Sequence, residues 1–277
     1  MAISIADTAC VDPRAELADD VEIGPYCIIG PDVQIGRGTR LIGHVCILGM
    51  TTLGESNTIH PFAVLGSDPQ DPSDATAPTR LEIGDGNIIR EHVTINRAGT
   101  REDGVTRIGS HNHLMAGCHV AHDCKLGDRI SIANGAMLGG HVHIESHATI
   151  SGAVAIYPYV TIGASSFLGG PSRIYHDVPP YMLVDGHPSK VRCIHIVGLK
   201  RLGLTPEGID ALHEAHRLIY RARMGLPQAA EILSSHGHLT PEVTRLLAFL
   251  QAQHEGKHGR ARERLRKAPR PLGEGME

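Results

Sequence analysis

The stretch from Ile108 to Leu126 reads IGSHNHLMAGCHVAHDCKL and places an aliphatic residue at every sixth position. The same spacing runs with few exceptions through residues 5–65 and 108–174, and a short register in residues 83–95 lies between them. Neither an α-helix, with a period of 3.6 residues, nor an ordinary strand, with a period of two, produces this spacing. Hexapeptide repeats do, because each six residues form one short strand and a turn, and three such units close one triangular coil. The sequence therefore predicts a mainly β fold, a parallel β-helix.

The repeat also predicts which residues lie above one another. Eighteen residues make one coil, so residue n+18 should lie over residue n at the spacing of neighbouring strands, roughly 4.8 Å. We call this relation the coil rule. The periodic residues amount to about 24 hexads, or about eight coils.

The β-helix is predicted to occupy residues 1–190. The periodicity stops at residues 66–80, which are rich in Pro, Asp and Ser, and again at residues 97–106. Both segments predict loops ejected from the coil, and such loops are where a repeat scaffold concentrates function.

A different pattern follows the repeat. Thr205 and Thr240 each precede Pro-Glu, the signature of a capped helix start, and a third helical segment begins near Leu226. These features predict a small α-helical domain over residues 191–256. Residues 257–277 are rich in Lys and Arg and poor in apolar residues, which predicts a disordered basic tail.

The composition excludes several classes of function. The 277 residues carry a formal net charge of −4, so the whole chain has no attraction to nucleic acid or to anionic lipid. No apolar run approaches the length of a transmembrane span, and the N-terminal residues lack a secretory pattern. The six cysteines show no paired spacing, which indicates free thiols in a reducing compartment and predicts a cytoplasmic protein.

Candidate catalytic residues lie in the opening stretch. His122 occupies a position near a corner of the triangle, and the following Asp123 could orient its imidazole as a base requires. The coil rule puts Gly140 over His122 and His141 over Asp123. A glycine in that position exposes a backbone N–H that could bind a developing oxyanion. The constellation fits acyl transfer from a thioester to a hydroxyl.

Two further expectations concern metals and assembly. Some trimeric β-helix enzymes bind zinc through histidines of neighbouring coils, but their His-x4-His spacing is missing here, so we expect no metal. A simple solvated histidine is the other alternative for His122. The flat faces of a triangular coil associate well in threes, and a substrate cleft between subunits near His122 would follow from such a trimer, which the sequence alone does not show.

Several short motifs are more specific than the repeat, and His-Val-Ala-His-Asp-Cys at residues 119–124 is the most specific of them. With these motifs the chain resembles, from residue 5 to about residue 250, the acyl-ACP:UDP-N-acetylglucosamine O-acyltransferases of lipid A synthesis. The other motifs occupy residues 23–25, 78–85, 93–97, 139–142, 177–181 and 198–201.

The resemblance implies a left-handed winding, although the general rule for crossovers favours the right-handed one. It implies a homotrimer with active sites between subunits. The implied reaction moves a 3-hydroxyacyl chain from acyl carrier protein to the 3-hydroxyl of UDP-N-acetylglucosamine, the first step of lipid A synthesis. No bound cofactor is implied, because the phosphopantetheine of acyl carrier protein delivers the acyl group.

The resemblance also implies roles for the residues of the opening stretch. His122 would be the general base, Asp123 would support it, and the Gly140 amide would receive the oxyanion of the thioester. His119 and His141 would line the pocket for the sugar and the diphosphate.

Four residues elsewhere in the chain gain implied roles. Gln70 and Asp71 in the first loop would contact the glucosamine, and Arg201 would approach the phosphopantetheine or the phosphates. Gly170 matches the position that sets acyl length, and a glycine there implies a longer acyl chain.

The chain departs from its relatives at six positions, most of which face the nucleotide or the carrier in the family. These departures keep open another acceptor, such as a 3-amino sugar nucleotide that would give an amide. A zinc lyase or hydratase, and a non-catalytic scaffold with a degenerate nucleotide pocket, are the alternatives from other classes. The departures are Ser73 in place of Lys, Tyr157 and Pro158 in place of His-Gln, His195 and Val197 in place of Asn and an acidic residue, and Leu202 in place of Arg.

Overall fold

The computed structural model describes residues 3–71 and 78–266. Within these residues the chain forms short strands, most of them two residues long, as expected when one hexad supplies one strand and one turn. In chain order the twenty-eight strands are β1 (Ser4–Ile5), β2 (Cys10–Val11), β3 (Glu16–Leu17), β4 (Glu22–Ile23), β5 (Ile28–Ile29), β6 (Val33–Ile35), β7 (Arg40–Leu41), β8 (Cys46–Ile47), β9 (Met50–Leu53), β10 (Thr58–Ile59), β11 (Val64–Ser67), β12 (Arg80–Ile83), β13 (Ile88–Ile89), β14 (Thr94–Asn96), β15 (Val105–Ile108), β16 (His113–Leu114), β17 (His119–Val120), β18 (Lys125–Leu126), β19 (Ser131–Ile132), β20 (Met137–Leu138), β21 (His143–Ile144), β22 (Thr149–Ile150), β23 (Ala155–Ile156), β24 (Thr161–Ile162), β25 (Phe167–Leu168), β26 (Arg173–Ile174), β27 (Met182–Asp185) and β28 (Lys190–Ile194).

Successive strands belong to successive sheets. The first sheet takes β1 and every third strand to β25, followed by β27 and β28; the second takes β2 and every third strand to β26; the third takes β3 and every third strand to β24. This arrangement gives eight complete coils and most of a ninth. All strand pairs within the coils are parallel. The fold is the left-handed parallel β-helix that the sequence and its resemblance predict.

The strand register confirms the coil rule. Ile5 pairs with Ile23 and Val120 pairs with Leu138, each eighteen residues on. Ile59 instead pairs with Ile89, thirty residues on, because the loop between β11 and β12 adds twelve residues to that coil. Ile89 pairs with Leu114, twenty-five residues on, because the loop between β14 and β15 adds seven. Both loops therefore leave the coil without disturbing the stacking above and below them.

The core is a single column of aliphatic side chains inside the coil. The sixth-position residues such as Ile47, Leu65 and Leu114 have no exposed surface, and small residues such as Ala136 fill the places between them. Burial of one such large side chain stabilises the fold by about 1.5–3 kcal/mol, and the column repeats this contribution in the hexads from Ile23 onward.

The α-helical region begins with an antiparallel hairpin of β27 and β28, which extends the first sheet. The predicted boundary at residue 190 falls inside this hairpin, and Met182 and Ile194 of the hairpin pack into the helical core. Thr205 and Thr240 cap their helices, accepting from the N–H groups of Gly208 at 3.2 Å and Val243 at 3.3 Å. The helices are α1 (Ile196–Arg201), α2 (Pro206–His216) continued by a π-helix (Arg217–Arg221), α3 (Leu226–Ser235) and α4 (Pro241–Glu255). No helix among residues 3–71 and 78–266 is both long and apolar enough to cross a bilayer.

The structure differs from the predicted disorder over residues 257–266. This segment turns at Gly256, contains a short 3-10 helix (Glu263–Leu265) and packs against the end of the β-helix. Composition alone suggested a solvated tail, yet the Arg260 side chain is buried and its Nε donates to Glu263 Oε2 at 2.7 Å. Charged residues can be buried when they are paired and hydrogen-bonded. Residues 267–277 of the predicted tail lie outside the described residues.

Candidate active site

The candidate catalytic residues lie at the corner between the second and third sheets. His122 and Asp123 form the turn between β17 and β18, and Gly140 and His141 form the turn between β20 and β21, one coil further on. Asp123 and His141 both have φ near +60°, the left-handed conformation that these corners require. Repeated turns of one shape therefore stack these four residues in two layers.

His122 and Asp123 form a hydrogen-bonded pair. The Nδ1–H of His122 donates to Asp123 Oδ2 at 2.7 Å, so Nε2 is the ring nitrogen left to accept a proton. The His122 side chain is 12% exposed and that of Asp123 is fully buried. The pair therefore has the geometry of a general base and its orienting carboxylate.

Local hydrogen bonds hold the Asp123 carboxylate in its ionised form. Its Oδ2 also accepts from the Gly99 N–H at 2.9 Å, and its own N–H donates to Thr106 Oγ1 at 2.8 Å. Burial opposes ionisation, but the hydrogen bonds from His122 and Gly99 outweigh it, so the pKa of Asp123 lies below its ordinary value. Gly99 belongs to the loop between β14 and β15, which thus covers one side of the pair.

Gly140 lies directly over the His122 ring, as the coil rule predicts. A Cβ on Gly140 would come within 2.7 Å of His122 Cε1 and 2.8 Å of Nε2, so the imidazole occupies the space of the missing side chain. Within the described residues the Gly140 N–H donates to no protein acceptor. An unused N–H at this place is a donor that a developing oxyanion could use.

His141 is held from three sides. Its Nδ1–H donates to Glu102 Oε1 at 2.9 Å, and its ring stacks on Tyr159 with centroids 4.3 Å apart. The ring stands edge-on to His122 at 5.1 Å, and its Nε2 lies 3.9 Å from Asp123 Oδ2. His141 is therefore part of the same cluster.

His119 lies on β17, beside the cluster. Its Nδ1 and the Thr94 hydroxyl share a hydrogen bond of 2.8 Å. Burial, together with the nearby charge of His122, lowers the pKa of His119 below its ordinary value. A neutral His119 can offer either a donor or an acceptor to a sugar.

The first loop reaches the second beside this cluster. Asp71 Oδ2 lies 3.6 Å from an Nη of Arg101, the residue that precedes Glu102. Gln70 next to it is exposed. The structure therefore connects Asp71, through the second loop, to the surroundings of His141.

Gly170 and Arg201 lie elsewhere on the chain. Gly170 stands at the corner between the first and second sheets, where a Cβ would come within 2.2 Å of the Gly152 carbonyl oxygen. Exposed Arg201 ends α1. His195, which precedes α1, donates its Nδ1–H at 3.0 Å to the carbonyl of Ser165, at the corner between the third and first sheets. The predicted site residues of one chain thus lie at two corners and on α1.

The departures from the family have varied surroundings. Tyr157 lies under the guanidinium groups of Arg260 and Arg266, and Pro158 packs over Gly139. Val197 and Leu202 are 58% and 44% exposed. Ser73 lies outside the described residues.

Three residues near the candidate site, Tyr159, Glu102 and Arg262, were not predicted from the sequence. Tyr159 follows His141 by eighteen residues, so the coil rule could have placed it there. Glu102 and Arg262, which donates to Glu102 at 3.1 Å, lie in a loop and in the C-terminal segment, where no period predicts position.

One group among the described residues has the spacing of metal ligands. One ligand atom from each of His122, Asp123 and His141 lies within 4.8 Å of the others. Two histidines and a carboxylate are a donor set that zinc accepts. A cation would compete with the bond between His122 Nδ1 and Asp123, and the expectation of no metal stays a prediction.

Two family models match the chain. The model described as bacterial transferase hexapeptide (six repeats) matches residues 106–140, and that described as UDP N-acetylglucosamine O-acyltransferase, domain 2, matches residues 177–259. The β-helix with a histidine at its corner thus defines a transferase of the hexapeptide-repeat class.

Individual relatives show to which family of hexapeptide-repeat transferases the chain belongs. The acyl-[acyl-carrier-protein]–UDP-N-acetylglucosamine O-acyltransferase of Syntrophobacter fumaroxidans is 47% identical over 255 residues, which is 92% of this chain and 99% of the relative. That of Thermodesulfovibrio yellowstonii is 44% identical over 252 residues, 91% of this chain and 98% of the relative. A crystal structure of a UDP-N-acetylglucosamine acyltransferase from Bacteroides fragilis matches with a TM-score of 0.86 at 34% identity and covers 89% of this chain and 96% of that chain. The chain belongs to the family of acyl-[acyl-carrier-protein]–UDP-N-acetylglucosamine O-acyltransferases.

Proposed function

We propose that this chain transfers a 3-hydroxyacyl group from acyl carrier protein to the 3-hydroxyl of UDP-N-acetylglucosamine, the first step of lipid A synthesis. The observation that carries the proposal is the hydrogen-bonded His122–Asp123 pair beneath the unused N–H of Gly140. The names of relatives at 44–47% identity over nearly the whole chain support the substrates.

The proposed reaction uses these groups in one sequence. His122 Nε2 accepts the proton of the sugar hydroxyl while the sugar oxygen attacks the carbonyl carbon of the thioester. The negative charge that develops on the carbonyl oxygen is stabilised by the Gly140 N–H. Collapse of this intermediate breaks the carbon–sulfur bond, and the departing pantetheine sulfur takes the proton from His122. Asp123 stabilises the imidazolium during the interval.

We propose that substrates bind around this pair from several elements. His119, His141, Gln70 and Asp71 line the sugar side. The acyl group arrives on the phosphopantetheine of acyl carrier protein, so the reaction needs no resident cofactor. The six cysteines are free thiols, which supports a cytoplasmic location.

We further propose that the working enzyme is a homotrimer. Gly170 lies at another corner of the chain than His122, and Arg201 ends α1, which follows His195 at the third corner. An acyl groove and a carrier or phosphate contact could join the catalytic pair if they came from neighbouring subunits. Three-fold association of the flat faces would bring different corners together.

The proposal is tested by mass spectrometry of acyl transfer. Purified protein is incubated with carrier-bound 3-hydroxyacyl chains of several lengths and with UDP-N-acetylglucosamine or its 3-amino analogue. We expect an ester on UDP-N-acetylglucosamine, with a longer chain preferred. A preference for the 3-amino analogue would show that the acceptor is an amino sugar nucleotide. Absence of transfer with every combination of acyl chain and acceptor would refute the proposal.

A further inference from the structure

A short C-terminal segment, residues 257–266, runs from the end of α4 along the corner that carries the candidate site. The Gly259 carbonyl accepts from the Asp177 N–H at 2.8 Å, and the Ala261 N–H donates to Asp177 Oδ2 at 2.7 Å. Gly259 has φ +66°, and a Cβ there would come within 2.5 Å of the His176 ring, so this turn favours glycine. The match to the UDP N-acetylglucosamine O-acyltransferase family model ends at residue 259, so most of the segment lies beyond the matched residues.

Two arginines fix the segment on Tyr157. The guanidinium carbons of Arg260 and Arg266 lie 4.9 Å and 5.6 Å from the centroid of the Tyr157 ring. Arg260 also donates to the Tyr175 carbonyl at 2.5 Å and to Glu263 Oε2 at 2.7 Å. Stacking of guanidinium groups on an aromatic face is favourable, and more so when the groups are desolvated. The segment is therefore packed against the corner of the β-helix through Tyr157 and Tyr175.

Arg262 connects this segment to the cluster. Its Nη1 donates to the His141 carbonyl at 2.6 Å, and its Nη2 donates to Glu102 Oε1 at 3.1 Å. Glu102 in turn accepts from His141 Nδ1 at 2.9 Å. One guanidinium thus restrains both the backbone directly after Gly140 and the carboxylate that orients the His141 ring.

We propose that Arg262 is a positioning residue for acyl transfer. Through Glu102 it holds the His141 ring edge-on to His122 and close to Asp123. The inference rests on the proposed function and adds to it a residue from the segment that extends past the family model. Without Arg262, the Glu102 carboxylate and the His141 backbone each lose a charged donor.

The test compares Arg262→Gln with Arg264→Gln in the full chain. Arg264 is an exposed residue of the same segment, so it supplies the same change of charge without the contacts. We expect Arg262→Gln to lower kcat about tenfold or more, because small displacements of catalytic groups are costly, with KM changed less than about twofold. Arg262→Lys should recover part of kcat, and Arg264→Gln should match the unmodified chain.

Glu102→Gln tests the same link from the loop side and leaves the segment intact. If Arg262 acts through Glu102, the double variant should be little worse than either single variant, because coupled residues are not additive. Three results would overturn the inference: equal kcat for Arg262→Gln and Arg264→Gln, a rise in kcat, or a loss that only follows a fall in Tm. If the unmodified chain transfers no acyl group, the proposed function fails instead.

Discussion

At the scale of single residues, the candidate site depends on the absence of a side chain at Gly140 as much as on the imidazole of His122. The His122 ring fills the space where Gly140 has no Cβ, and the Gly140 N–H remains unused within the described residues. Asp123 has no exposed surface, so its bond to His122 Nδ1 is protected from water. Three residues thus leave one free ring nitrogen and one free N–H at the same place.

The first prediction concerns Gly140→Ala. The added methyl would come within 2.7 Å of the His122 ring, so the imidazole must leave its place. We expect kcat for acyl transfer to fall about a hundredfold, as displaced catalytic groups do. Gly30→Ala is the matched control at a distant turn, where the nearest atom to the new Cβ would be 3.5 Å away. Equal rates in the two variants would contradict the role of this packing.

A second prediction concerns metal. Because His122 Nδ1 donates to Asp123, the ring orientation is set by a hydrogen bond without any ion. We expect protein treated with EDTA and then dialysed to keep its rate of acyl transfer. Mass spectrometry of metal content checks the treatment. Activity that is lost with EDTA and returns with zinc would instead assign the group of His122, Asp123 and His141 a metal-binding role.

At the scale of elements, the vertical register of the coils was predictable from the sequence. A fixed step of eighteen residues is enough to put Gly140 over His122 and His141 over Asp123, and it would also have found Tyr159. The step fails wherever the chain leaves the coil. Glu102 in the second loop and Arg262 in the C-terminal segment reach the site through hydrogen bonds that no periodicity encodes. The order of residues 257–266 was missed for the same reason.

Asp177 links the C-terminal segment to the last coil and gives a pH-dependent prediction. Burial raises the pKa of Asp177 to about 6, against hydrogen bonds from the Ala261 and Thr161 N–H groups. The folded chain therefore holds a proton between pH 3.8 and about 6 that the unfolded chain has lost. This contribution to stability is complete below the unfolded pKa and disappears as the pH rises through about 6.

The measurement compares the free energy of unfolding of the unmodified chain and of Asp177→Asn. From about pH 4 to about pH 7.5, the unmodified chain should lose about 2.5 kcal/mol relative to the variant, since one pKa unit corresponds to about 1.4 kcal/mol. The substitution itself adds a second loss of stability that does not vary with pH, because the side-chain NH2 of Asn cannot accept from a backbone N–H. A difference that does not change with pH would show that this carboxyl is not buried as described.

At the scale of the whole molecule, the three corners of the coil have different contents. One carries His122 and Gly140, another carries Gly170, and α1 with Arg201 follows a residue anchored at the third. His122 and Gly140 were predicted from the repeat, and Gly170 and Arg201 from the resemblance, and their roles stay predictions. A period along one chain contains no information on which corners of different chains meet.

Mixed trimers test whether the site is shared. His122→Ala and Arg201→Ala chains should each be impaired alone. If one subunit supplies His122 and its neighbour supplies Arg201, random mixing restores both residues at about a quarter of the sites. Co-expression should therefore recover about a quarter of the activity of the unmodified chain, measured on purified mixed trimers. No recovery would mean that both residues act within one chain or that Arg201 has no part in the site.

The most direct test of the central claim, that His122 removes the proton from the acceptor hydroxyl, is the rate of acyl transfer by His122→Ala. Mass spectrometry follows formation of the ester on UDP-N-acetylglucosamine, and thermal unfolding checks that the variant is folded. We predict that kcat falls about a thousandfold at an unchanged Tm, within the range of general base catalysis. Transfer by the folded variant at the rate of the unmodified chain would contradict the account.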